Sequence, residues 1–341
     1  MKYILSIVWI SSFLLLSCGK KDTVPAVVAP TNLTLNAVVS SDNSGNVSFT
    51  ATATNASTYE YDFGNGIFQT VASGIVTYKY PASGSYTVNV IAKSSTGQSI
   101  SKSTTITVTV SLSLVFSDEF DASGAPDPSK WGYDIGTGSG GWGNNELQYY
   151  TNRLDNAFVS NGTLKIKAIK ESFSGSAYTS ARILTQNKFS FKYGKVEVKA
   201  KLPAGIGTWP AVWTLGSNIN TAGWPACGEL DIMEHKGSQL NKIYGTAHYP
   251  ARFGGNADGG TRDILNATTE FHIYTMEWNA SSIKFIVDGT VFHTVANNSS
   301  LPFNQNFFLI MNLAMGGTFG GAIDNTFSNA TMEVDYIRVY Q

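Results

Sequence analysis

The chain has 341 residues and a formal net charge of -1, and only 14% of it is Asp, Glu, Lys or Arg, against roughly 25% in an average globular domain. That balance offers no basic footprint for nucleic acid or for a polyanion, so no nucleic-acid partner is expected. Hydrophobic residues at 43% suffice for real cores, and a polar complement of Ser, Thr, Asn and Gly points to β-rich extracellular protein rather than to disorder.

The N-terminus runs Met1-Lys2, an apolar stretch from Tyr3 to Leu16, then Ser17-Cys18-Gly19. It is too short and one-sided for a fold helix and reads as a secretory signal over 1–17. The ending Leu15-Leu16-Ser17-Cys18 resembles a bacterial lipobox, in which the cysteine is lipidated and becomes the new N-terminus. The alternative to it is an ordinary signal peptide cut nearby. On the lipobox reading, lipid on Cys18 holds the chain to a membrane of the bacterial cell envelope, with the outer membrane expected; otherwise the chain is secreted. Cys227 is then the only remaining cysteine, so no intramolecular disulfide is available. Residues 18–30 lack periodicity and mix charge, Pro and small residues, as a tether does.

From 31 to 110 short strands alternate with turn signals. Ser85-Tyr86-Thr87-Val88-Asn89-Val90 has period two, and so does the run from Ile106 to Val110, which predicts a small β-sandwich. Tyr61-Asp62-Phe63-Gly64-Asn65-Gly66 followed by Gly84-Ser85-Tyr86-Thr87-Val88 resembles the PKD family of immunoglobulin-like modules, which implies a spacer. Asn65 stands where that family has aspartate, and Tyr61 where it has tryptophan. The stretch contains no tryptophan, so it has little aromatic surface for sugar.

From 113 to 341 the composition changes, and six of the seven tryptophans lie here: Trp131, Trp142, Trp209, Trp213, Trp224 and Trp278. Leu164, Ile166 and Ala168 alternate with lysines, as do Val196, Val198 and Ala200 with charged residues. Asp288-Gly289 after Ile283-Lys284-Phe285-Ile286-Val287 predicts a two-residue hairpin turn. With no sustained helical period, the expected architecture is all-β: two antiparallel sheets packed face to face. Trp131 and Trp278 are assigned to the core.

The sharpest feature is Gly228-Glu229-Leu230-Asp231-Ile232-Met233-Glu234, three carboxylates within six residues of an apolar stretch. On a helix Glu229 and Asp231 would lie about 200° apart and share no site. On a strand they share one face while Leu230 and Ile232 face the core, and Glu234 is out of phase by one. A β-bulge at Ile232-Met233 would return Glu234 to the face of the other two. Retaining glycoside hydrolysis needs two carboxyl groups about 5–5.5 Å apart, one to attack the anomeric carbon and one to protonate the leaving oxygen. A third acid between them raises the proton affinity of the cluster and can orient the nucleophile. The bland alternative is a solvated strand edge whose acids happen to alternate.

At these residues the sequence resembles glycoside hydrolase family 16, in its laminarinase-like branch, whose signature is Glu-x-Asp-x-x-Glu. The similarity extends through Gly141-Trp142-Gly143-Asn144-Asn145-Glu146-Leu147-Gln148-Tyr149-Tyr150, Ser180-Ala181-Arg182-Ile183, Trp209-Pro210-Ala211-Val212-Trp213 and Trp224-Pro225-Ala226-Cys227. It implies a curved jelly-roll with Glu229 as nucleophile, Asp231 as assistant and Glu234 as acid/base. It further implies that Asn145, Arg182, Trp209, Trp213 and Trp224 lie along the substrate path, and it places His248 near the acid/base. Trp213 and His248 fit a packed structural role equally well. The branch also implies a structural calcium on the opposite face, which Glu119, the Gly162 carbonyl and Asp335 match by position alone; no cofactor is expected for catalysis. Thr318-Phe319-Gly320-Gly321 departs from the Trp-Pro-Gly of the branch, which leaves one wall of the site open.

The expected activity is therefore endo-hydrolysis of β-1,3-glucan of the laminarin type, by a monomer whose partner is the polysaccharide. Mixed-linkage β-glucan, or a galactan such as agarose, keeps the mechanism and changes the sugar. A non-catalytic surface glycan binder would have no need of a closely spaced acid pair. Zinc spacing, a phosphate loop and a Gly-x-Ser-x-Gly elbow are all missing from the sequence.

Overall fold

The computed structural model describes residues 28–341; the proposed signal, Cys18 and most of the tether lie outside the described residues. Strands dominate, and the only α-helices among the described residues are two of four residues each, Ile219–Ala222 and Gly317–Gly320.

The N-terminal strands form a three-stranded sheet, in the order Thr31–Val39, Asn46–Thr54, Ile75–Lys79. They also form a four-stranded one, in the order Phe68–Val71, Thr58–Asp62, Gly84–Lys93, Ser99–Val108. Alternation decides which side chains meet between them: Val47, Phe49, Tyr61, Phe63, Tyr80, Val88 and Val90 are fully buried in one cluster. The buried hydroxyls are satisfied, Tyr61 donating to the Gly74 carbonyl at 2.7 Å and Tyr80 to that of Phe63 at 3.0 Å. Gly64 in the Tyr61–Gly66 turn has φ +77°, and a Cβ there would meet the Thr87 carbonyl oxygen at 2.4 Å, so only glycine fits.

The remaining strands build two larger sheets with a second, separate core. One has ten strands, with Leu114–Asp118, Thr163–Phe173, Asn329–Tyr340, Gly194–Lys201 and His272–Trp278 among them. The other has seven, in the order Asp258–Asp263, Lys242–His248, Glu229–His235, Thr208–Gly216, Phe307–Met315, Arg182–Leu184, Gly132–Asp134. Leu164, Ile166, Ala168, Val196, Val198 and Ala200 all point into the shared core, as their period predicted. Val287 pairs with Thr290 across Asp288 (φ 48°) and Gly289 (φ 73°), the positive-φ hairpin turn that an Asp-Gly pair favours.

Trp131 and Trp278 are core residues, 2% and 1% exposed, with their indole N–H groups on Asp118 at 2.7 Å and on the Phe303 carbonyl at 3.1 Å. The residues matched to a calcium site do not fit one as arranged. Glu119 gives both oxygens to Arg338, at 2.9 and 2.7 Å, and Asp335 lies 2.6 Å from Lys199 Nζ. Each acid is already neutralised by a cation, whereas calcium takes six to eight oxygens. Gly162 (φ 71°) serves as a turn beside the strand from Thr163.

Candidate active site

The site is on the outer face of the seven-stranded sheet, and the carboxylate strand Glu229–His235 lies between Thr208–Gly216 and Lys242–His248. Pairing with the first neighbour runs Ala211 to Glu234, Val212 to Met233, then Trp213 to Asp231, skipping Ile232. Pairing with the second spends three steps from Asp231 to Glu234 against two from Thr246 to Tyr244. The strand therefore carries one extra residue at Ile232-Met233, where the sequence required it. Leu230, Ile232 and Met233 are all fully buried in the core, and the three acids are left to the outer face.

Gly228 sets the entry. Its φ is +77°, and a Cβ would stand 3.0–3.1 Å from Phe307, Phe303 and Pro302, so glycine lets the chain turn tightly into Glu229. Beside it Cys227 is a free, fully buried cysteine whose thiol is pushed up to about 11 by burial and by the charge of Glu229.

Asp231 and Glu234 are buried and Glu229 is partly exposed, and each carboxyl is raised to about 8. Burial is the first cause for all of them; repulsion from Asp231 follows for Glu229 and for Glu234. The two glutamates differ in their partners. Glu234 accepts from the Trp209 indole N–H at 2.9 Å and from the Thr246 hydroxyl at 3.4 Å. Glu229 Oε1 faces His248 Nε2 at 3.7 Å, and Asp231 Oδ2 lies 3.1 Å from the same nitrogen without hydrogen-bond alignment.

Glu229, Asp231 and His248 offer ligand atoms within 4.8 Å of one another, close enough for a metal. The histidine argues against it. The Gly254 amide donates to Nδ1 at 3.1 Å, so a neutral ring carries its proton on Nε2, the atom facing the acids. That nitrogen is a donor, whereas a ligating histidine donates through its other nitrogen.

Aromatic residues flank the acids. At the Glu234 end, the Trp209 ring lies 5.1 Å from Phe319, which lies 5.0 Å from Tyr244, with Lys236 Nζ 4.0 Å from the Phe319 centroid. At the Glu229 end, Trp224 is 46% exposed and lies 5.8 Å from His248 and 5.5 Å from Phe253. To the side, Arg182 packs against the rings of Trp142 and Trp213, each at 4.7 Å, and pairs with Asp134 at 2.9 Å. Trp213 is half-buried, with its N–H on Asn312 at 2.7 Å.

Arg182, Trp209, Trp213, Trp224 and His248 thus share this face. Asn145 is exposed on the turn Gly141–Asn145 and takes no part in the hydrogen bonds around the acids. Sequence reasoning missed Trp142, Tyr244, Phe253, Asn312 and a fourth acid, Glu146. The last sits inside the quoted Gly141–Tyr150 motif, and a lone carboxylate among Gly, Asn and aromatic residues was the available signal.

The family description "Glycosyl hydrolases family 16" matches residues 144–338. The chain belongs to this family. A second description, "Beta-glucan synthesis-associated protein SKN1/KRE6/Sbg1", matches residues 46–230 and overlaps the first over 144–230. Among family 16 relatives, a β-glucanase of Rhodothermus marinus is 45% identical over 67% of this chain and 85% of its own length. Glucan endo-1,3-beta-glucosidase A1 of Niallia circulans is 39% identical over 67% of this chain, which spans only 38% of that longer relative. A solved LamA variant from Z. galactanivorans, in complex with laminaritriose and laminaritetraose, is 47% identical with a TM-score of 0.63, covering 67% of this chain and 98% of that one. The family is one of glycoside hydrolases, and the paired sheets of this chain are its jelly-roll sandwich.

Proposed function

We propose that this family 16 chain is a retaining endo-β-1,3-glucanase acting on laminarin-type polysaccharide, with Glu229 as nucleophile, Glu234 as acid/base and Asp231 as the group that orients Glu229. The observation that carries the reading is the bulged strand, which brings three carboxylates to one face while its apolar residues stay in the core. Glu229, ionised, attacks the anomeric carbon as Glu234 gives its proton to the departing glycosidic oxygen, forming a glycosyl ester. Glu234, now ionised and held by the Trp209 N–H, takes a proton from water, which displaces Glu229 and restores the β configuration. Glu234 must be protonated and Glu229 ionised at the start; coupled acids sharing one site achieve this because they cannot all ionise together.

Sugar rings present apolar C–H faces that stack on tryptophan, and hydroxyls that accept from arginine. On this reading Trp209 and Trp224 carry stacking, while Arg182 and Trp213 hold the sugar from the side. The two related glucanases and the laminarin-oligosaccharide complex support β-1,3-glucan over a galactan. The first sandwich is read as a PKD-type spacer. Lipid on Cys18 would hold the enzyme at the bacterial envelope.

NMR of the first sugar released from laminarin tests the mechanism. An initial β-anomer is expected; an initial α-anomer means inversion and would overturn the paired-carboxylate assignment.

A further inference from the structure

We infer that Glu146 is a positioning residue, which sets the direction of a hydrogen-bond relay that fixes Trp213 and Arg182 beside the site. Glu146 Oε2 accepts from Gln148 Nε2 at 2.6 Å and from the Tyr150 hydroxyl at 3.1 Å. Burial raises the Glu146 carboxyl, while donors from Gln148 and Asn144, the charge of Arg182 and the Tyr150 hydroxyl favour its ionised form; an ionised carboxylate can only accept, so Tyr150 commits its single proton to Glu146. The tyrosine oxygen is then free to accept from Asn312 Nδ2, 3.1 Å away. That contact turns the Asn312 amide so that Oδ1 faces Trp213, whose indole N–H donates to it at 2.7 Å. An indole N–H can only donate. The relay therefore has an acceptor-only group at one end and a donor-only group at the other, and no member between them can reverse without leaving a buried polar atom unpaired. Tyr150 is fully buried and Asn312 is 6% exposed, so water does not readily replace a lost partner. The far end of the relay is the Trp213 ring, which packs on the Arg182 guanidinium at 4.7 Å.

This inference rests on the reading that Arg182 and Trp213 hold the sugar. It is tested on the full chain by measuring kcat and KM on laminarin for Glu146→Gln, Tyr150→Phe, the double variant and Arg182→Met. Glu146→Gln gives the relay's end a group able to donate; Tyr150→Phe cuts the relay and keeps the carboxylate. Both are expected to raise KM several-fold with kcat nearly unchanged. The double variant is expected to be no worse than the singles, because both cut one relay, whereas two independent packing lesions would add. If Arg182→Met raises KM while Glu146→Gln and Tyr150→Phe leave it at the wild-type value, the positioning role is overturned and the proposed function stands. Unchanged KM in Arg182→Met overturns the sugar-holding reading, and the positioning role with it. Additive losses in the double variant, with kcat and thermal stability falling together, show a structural role only and overturn the inference.

Discussion

At Glu229 and Glu234 the same burial that suits the chemistry works against the fold. Replacing Glu234 with Gln removes a proton donor worth about 10²–10⁴-fold in rate and leaves the stacking surfaces intact. Glu234→Gln and Glu229→Gln are therefore expected to bind laminarin oligosaccharides by calorimetry with near wild-type affinity and to hydrolyse them at a small fraction of the normal rate. Near wild-type turnover in either would refute its assigned role. Burial, then the charge of Asp231, raises Glu229 from 4.5 to about 8. Between those two values the folded protein holds more protons than the unfolded chain, so this group's contribution is fully present below pH 4.5 and is lost as pH rises through 8. A neutral glutamine avoids that loss. Glu229→Gln should melt above the wild type at pH 8, and the gap should close below pH 4.5; a constant gap in thermal scans would argue for packing rather than ionisation.

The carboxylate strand shows how an element is shaped for its acids. Its neighbours supply regular pairing on both sides, yet the register shifts against each of them between Asp231 and Glu234. A perfectly alternating strand would place one of the glutamates in the core at a large desolvation cost. The other shaped point is Gly228, whose positive φ strains any L side chain and where a Cβ would press on Phe307, Phe303 and Pro302 at 3.0–3.1 Å. Gly228→Ala is expected to cost about 1–3 kcal/mol through backbone strain and to lower kcat because Glu229 is the next residue. Denaturant unfolding and steady-state rates check both parts; a fully stable, fully active Gly228→Ala would contradict them.

On the scale of the whole chain, the two cores share no residue: one gathers side chains from Leu33 to Val108, the other from Phe120 to Val339. The ladder changes hands between Ser111, whose amide donates to the Asn43 carbonyl, and Ser113, which exchanges backbone hydrogen bonds with Gln341 at 2.7 and 2.9 Å. Residues 113–341 alone are therefore expected to fold cooperatively and to hydrolyse soluble laminarin with unchanged kcat. A folded but inactive fragment, judged by circular dichroism and rate, would make the first sandwich part of the site.

Local patterns were enough where the physics is local. Period two named the strands around Leu164–Ala168 and Val196–Ala200, Asp288-Gly289 named its hairpin, and the phase error of Glu234 by itself required a bulge. Each follows from the alternation of side chains along one strand. Only the tertiary structure decided what long-range pairing brings together. It placed Trp142 and Trp213 on Arg182, linked Glu146 through Tyr150 to Asn312, 162 residues further along the chain, and set Glu119 against Arg338 and Asp335 against Lys199. A sequence states which side chains alternate; it does not state which strands become neighbours, and the partners of a buried polar group are chosen by those neighbours.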